Sequence, residues 1–90
     1  MDLNLRGKVA LVTGASKGIG ESIARSLYSE GCRLAINGSN AVNLEKVAAE
    51  LPGSLAILAD VTKADQAKKM IKKVVKTLGH LDILVCNVGS

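Results

Sequence analysis

KVALVTGASKGIG, residues 8–20, passes from an apolar, β-branched run into three glycines, Gly14, Gly18 and Gly20. Residues 8–13 read as a short buried strand. The segment that follows, IGESIARSLYSEG, repeats Ile19, Ile23, Ala24 and Leu27 at helical intervals and ends on Gly31, well placed as a C-cap. A strand therefore turns into a helix across the glycines. Glycine costs roughly 0.5–1 kcal/mol relative to alanine inside regular structure, so the cluster needs a reason. One reading is a tight turn with close helix–strand packing. The other is a seat for a phosphate: a helix start exposes unpaired N–H groups and the positive end of its dipole, and glycine leaves an anion room to approach them. A turn needs only one or two glycines, and Gly20 already falls inside the helix.

Outward from this junction the chain keeps the same alternation. CRLAIN is a second strand, stopped by Gly38, and Ser39 or Asn40 can cap a helix over AVNLEKVAAEL with Leu44, Val47, Ala48 and Leu51 on one face. Pro52 and Gly53 end that helix, and SLAILAD supplies a third strand. Thr62 or Lys63 opens a third helix, where Thr62 and Asp65 resemble a capping box; Gly79 closes it, and LDILVCN is a fourth strand. No repeat, low-complexity segment or linker interrupts the order. Strands joined by helical crossovers pair in parallel with helices on both faces. The expected architecture is α/β: the N-terminal half of a doubly wound parallel sheet, β-α-β-α-β-α-β in order 3-2-1-4. Ligands of such sheets lie beyond the carboxyl ends of the strands where the order reverses, here between the first and fourth strands.

Composition agrees. Ninety residues allow one small domain, which buries about 60–65% of its unfolded surface. The chain is 48% hydrophobic with Tyr28 as its one aromatic residue, so the core must be Val, Leu, Ile and Ala, as in buried parallel sheets. Cys32 and Cys86 form no C-x-x-C pair, which points to a reducing, cytoplasmic setting; no stretch resembles a signal peptide or a membrane span. The net charge of +4 comes mostly from KADQAKKMIKKVVKTLGH. There Ala67, Met70, Ile71, Val74, Val75 and Leu78 recur at helical spacing and leave Lys68, Lys69, Lys72, Lys73 and Lys76 opposite. The lysines read as a solvated helix face rather than a nucleic-acid or membrane patch, since no aromatic is present to stack bases.

The spacing G-x-x-x-G-x-G differs from the G-x-G-x-x-G dinucleotide fingerprint, and no Lys-Ser or Lys-Thr follows to make a P-loop. TGASKGIG, residues 13–20, instead resembles the T-G-x-x-x-G-x-G signature of the short-chain dehydrogenase/reductase family. Asp60-Val61 after the third strand looks like that family's adenine-contacting Asp-Val pair, and CNVG at 86–89 looks like its N-N-A-G, with Cys86 and Val88 departing from the pattern. The resemblance spans the chain and is nearest to members that reduce 3-oxoacyl thioesters. It implies a Rossmann-like fold in which Gly14, Ser16, Gly18, Ile19 and Gly20 line the pyrophosphate and ribose side. Asp60 and Val61 would hold the adenine, with Asn87 and Gly89 near the adenine-side ribose and the strand-four end. The plainer reading of Asp60 is a turn or capping residue before Thr62.

An NAD-selecting site needs a carboxylate at the end of the second strand to accept from the ribose 2′-hydroxyl. Gly38 stands there, between Asn37 and Ser39, and no acid is present. Lys17 can reach a 2′-phosphate, and in the family a basic residue there marks NADP; read plainly, it is a surface lysine. NADP is therefore expected over NAD. The family's catalytic Ser-Tyr-Lys set, with its Y-x-x-x-K spacing, has no match. Tyr28 is followed four residues on by Cys32 and reads as a packing residue, while His80 sits in a loop without a visible partner. No residue is assigned a catalytic or metal-binding role. Residues 1–90 thus read as a partial dinucleotide-binding domain, inactive alone, from the N-terminal part of a longer oxidoreductase. In that protein a small carbonyl or alcohol substrate and a homo-oligomer are expected. Ile83, Leu84 and Val85 would lie on an exposed sheet edge. A non-catalytic dinucleotide sensor or scaffold is the alternative.

Overall fold

In a computed structural model that describes residues 4–87, four strands and three helices alternate: β1 Val9–Val12, α1 Gly18–Ser29, β2 Arg33–Gly38, α2 Ala41–Glu50, β3 Leu55–Leu58, α3 Ala64–Leu78 and β4 Ile83–Val85. The strands form one parallel sheet in the order β3-β2-β1-β4, as the alternation predicts. Val9 pairs with Arg33 and Ala10 with Ile83, so β1 is the central strand of the reversal. All four of its residues are buried. Successive side chains point to opposite faces, and both faces are covered, which is why the run is continuously apolar.

Ala10, Val12, Leu34 and Ile36 pack with Ala24 of α1 and with Leu44, Val47 and Leu51 near α2. On the other face Val9, Leu11, Ala35 and Ile57 pack with Met70 and Val74 of α3. The lysines of α3 are exposed, as its periodicity requires. Two of the apolar stripe positions differ from expectation. Ile19 is 73% exposed although its neighbour Gly20 in the same turn is buried, and Val75 is 42% exposed on the flank of α3. On the edge strand β4, Ile83 and Val85 are half-buried against the α1/α2 side of the core, while Leu84 faces the opposite side of the sheet and is 49% exposed. No helix among the described residues is long and apolar enough to cross a membrane.

Local contacts decide the caps. Asn40 rather than Ser39 caps α2: its Oδ1 accepts the Asn43 N–H at 3.0 Å. The capping box expected at α3 does not form. The N-cap is Lys63 rather than Thr62 and makes no side-chain bond, while the Thr62 hydroxyl lies outside the helix and donates to Asp60 Oδ1 at 2.6 Å. Tyr28 packs against the α1/α2 core and donates its hydroxyl to the Pro52 carbonyl at 2.6 Å.

His80 also differs from expectation: its Nε2 lies 2.8 Å from Asp82 Oδ2. Asp82 Oδ2 accepts the Val9 N–H at 2.8 Å while the Asp82 N–H donates to the Val9 carbonyl at 2.9 Å, clamping the entry to β4 onto β1. The Val9 N–H holds the Asp82 carboxyl below its ordinary 3.8, with the charges of His80 and Lys8 assisting. A depressed carboxylate pKa contributes stability that is fully present above the unfolded value and is lost as pH falls through the folded one. Asp82→Asn is therefore expected to lower the urea midpoint at pH 7, with the gap to wild type closing as pH falls below 3.8. A gap independent of pH would contradict the clamp's ionic character.

Candidate functional site

The loop between β1 and α1 is held from both sides. On one side Thr13, buried, accepts the Asn87 N–H at 3.0 Å and directs its own hydroxyl at the Val85 and Asn87 carbonyls, each 3.4 Å away. On the other side Asn37, only 2% exposed, accepts the Gly14 N–H on Oδ1 at 3.4 Å and donates from Nδ2 to the carbonyls of Ile57, at 3.1 Å, and Ala59, at 3.2 Å. The Asn37 carbonyl takes the Ala15 N–H at 2.8 Å. One amide thus joins the loop, the end of β2 and the end of β3.

Gly14 and Gly18 adopt φ of +60° and +63°, the left-handed region where a side chain costs about 1–2 kcal/mol. Nothing lies within 4 Å of the position a Gly18 Cβ would take. Lys17, extended at φ −164°, is the N-cap of α1 and makes no side-chain capping bond. The first-turn N–H groups of α1, from Gly18 to Gly20, are therefore left without a side-chain cap, at the positive end of the helix dipole. Gly20 has a different part. A Cβ built there would overlap the Gly14 carbonyl oxygen and come within 2.6 Å of Asn87 Nδ2, which itself donates to Gly14 O at 3.1 Å. Gly20 lets α1 approach the loop; it does not line the cavity.

That cavity, about 450 Å³, opens at the carboxyl ends of the strands. Gly14, Ser16, Lys17, Gly18 and Ile19 form one wall. Asn37, Gly38 and Ser39 form the floor beside β2, and Ala59, Asp60, Val61 and Thr62 the opposite wall, with Asn87 at the β4 end. The exposure of Ile19 is thus exposure into the cavity mouth. Asp60 serves as a turn residue as well as a wall residue. Its Oδ1 accepts the Thr62 hydroxyl and the Thr62 N–H, at 2.6 and 3.0 Å, and those two bonds, the hydroxyl first, hold the carboxyl below its ordinary 3.8. Its own N–H donates to Gln66 Oε1 at 2.7 Å. Gly89 lies outside the described residues.

Sequence reasoning brought most of this wall together but gave no role to Thr13 or Asn37. The available signal for Asn37 was its register: it shares a sheet face with Ala35, where an apolar residue is expected, and a buried amide must find partners.

Comparison with known proteins agrees with this geometry. The sequence profile of the short chain dehydrogenase family matches residues 8–90. The chain is 46% identical over 87 residues to a 3-oxoacyl-acyl-carrier-protein reductase of Staphylococcus epidermidis, a match covering 91% of this chain and 36% of that protein. Among solved structures, a short-chain type dehydrogenase/reductase from Mycobacterium marinum superposes with a TM-score of 0.92 at 37% identity, covering 100% of this chain and 39% of that one. A hydroxysteroid dehydrogenase from Escherichia coli gives 0.93 at 31% identity, covering 99% and 40%. The chain therefore spans little more than a third of the length of these relatives, 36% to 40%.

Proposed function

The chain belongs to the short-chain dehydrogenase family, and from that premise we propose that it is the NADP(H)-binding portion of an oxidoreductase acting on a carbonyl or alcohol carbon. The observation that carries the reading is the uncapped first turn of α1, which faces a cavity walled by residues that crowd it little. Amides of Gly18 and Ile19 would donate to the pyrophosphate, with Gly14 and Ser16 alongside. Gly20 would contribute clearance rather than a wall contact. Asp60 and Val61 would hold the adenine, and Asn87 with Gly89 would lie near the ribose. A bound nicotinamide supplies or takes the hydride. No Y-x-x-x-K occurs in these residues, so the groups that protonate and orient a substrate would lie in the remaining part of a full-length relative. The printed name of the Staphylococcus epidermidis relative suggests a 3-oxoacyl thioester as that substrate.

NADP is favoured over NAD by Lys17 on the cavity wall and by Gly38 where an NAD-selecting carboxylate would stand. Lys17→Ala should weaken NADPH binding about tenfold or more, the worth of one charge-assisted hydrogen bond of roughly 1.5–3 kcal/mol, and leave NADH nearly unchanged. Titration calorimetry with both dinucleotides checks this. Equal losses refute the Lys17 role, and no saturable binding of either to the wild-type chain overturns the cofactor reading.

A further inference from the structure

Gly38 is the one cavity glycine whose backbone does not require glycine: its φ lies outside the left-handed region. What bars a side chain there is a single neighbour. A Cβ at position 38 would stand 3.1 Å from Ser16 Cβ and 3.2 Å from Ser16 Oγ, closer than ordinary side-chain contacts, with Leu44 Cδ1 at an unstrained 3.5 Å. Ser16 cannot retreat easily, because the preceding Ala15 N–H is tied to the Asn37 carbonyl at 2.8 Å and the Gly14 N–H to Asn37 Oδ1. Ser16 is thus held over the end of β2 by bonds to the residue just before Gly38. Among the described residues its hydroxyl has no hydrogen-bond partner, so its volume, not a bond, is what it presents to position 38.

We propose that Ser16 is a steric gate on position 38, the place where an acid would select NAD: its volume decides whether a side chain there can be seated against the cofactor. A carboxylate there would accept from a ribose 2′-hydroxyl and repel a 2′-phosphate. With Ser16 in place, a Cβ at position 38 requires Ser16 or the end of β2 to shift by a few tenths of an ångström, so Gly38→Asp alone should not seat the carboxylate at the ribose, and Ser16→Gly should allow it. This inference rests on the dinucleotide reading above.

Two measurements on the full chain separate the pairing from that reading. In thermal melts, Gly38→Ala should lower Tm in the Ser16 background by several degrees and lose most of that penalty when Ser16→Gly is present. An equal drop in both backgrounds overturns the gate without reference to any ligand. In dinucleotide titrations, Gly38→Asp alone should lose NADPH affinity without gaining NADH, while Ser16→Gly/Gly38→Asp should bind NADH at least tenfold tighter than wild type. Full NADH gain from Gly38→Asp alone also overturns it. Wild type binding neither dinucleotide overturns the cofactor reading, and the melts still decide the gate.

Discussion

Asn37→Leu should leave the chain without a cooperative unfolding transition at 25 °C, or move its urea midpoint close to zero. The substitution keeps the branched shape and the number of side-chain heavy atoms, at somewhat larger volume, and removes the amide, so three hydrogen bonds are lost: from Gly14 N–H, and to the Ile57 and Ala59 carbonyls. Each buried polar group left without a partner costs about 1–3 kcal/mol. The sum, roughly 3–9 kcal/mol, matches or exceeds the ~3–5 kcal/mol that a single small core supplies. Asn37→Asp is expected to be comparably damaging. It retains the acceptor for Gly14 but sets a carboxylate against two carbonyl oxygens. A chain that tolerates both changes with an unshifted midpoint would mean that this amide is not what joins the loop to β2 and β3.

Gly20→Ala tests a second contact with opposing expectations. Within a helix, alanine is favoured over glycine by about 1 kcal/mol, so a purely local account has the variant more stable than wild type. The tertiary account has the opposite sign. The new methyl would overlap the Gly14 carbonyl oxygen and crowd Asn87 Nδ2. Neither can move freely, since Gly14 is bonded to Asn37 and Asn87 to Thr13. Helix α1 would have to lift from the loop at a cost of about 1–3 kcal/mol or more beyond the propensity gain. The first-turn amides would shift with it, and NADPH affinity should fall roughly a hundredfold, the equivalent of about 2.8 kcal/mol. A melt at or above the wild-type temperature with binding intact would remove Gly20 from the site.

These two residues illustrate how unevenly the molecule is legible. Gly20 stood out at once, because a glycine inside a helix needs a reason, and close packing was among the readings the sequence allowed. The partner it packs against, a loop carbonyl braced by Asn87, is more than 70 residues from that asparagine in the chain, and no local spacing reveals it. Asn37 drew notice only as a neighbour of Gly38. The capping box at Thr62 fails for a related reason: Lys63, the other helix start the sequence allows, is the N-cap, and only the path of the chain leaving β3 sets the Thr62 hydroxyl against Asp60 instead of the first turn of α3. His80 found a partner in Asp82 because that carboxylate is itself fixed by β1.

Periodicity and order belong to the sequence. Four short apolar runs separated by amphipathic helices leave few arrangements that bury every run, and the parallel order β3-β2-β1-β4 is the one expected from right-handed, uncrossed connections. The same order puts the glycine loop beside the ends of the second, third and fourth strands, so the location of the cavity was implicit in it as well. Pairing of polar groups belongs to the tertiary structure. Hydrogen bonds are directional and short-ranged, so whether Asn37, Thr13, Asp82 or Ser16 has a neighbour depends on strand register and loop path, and these exist only after the hydrophobic layers have closed.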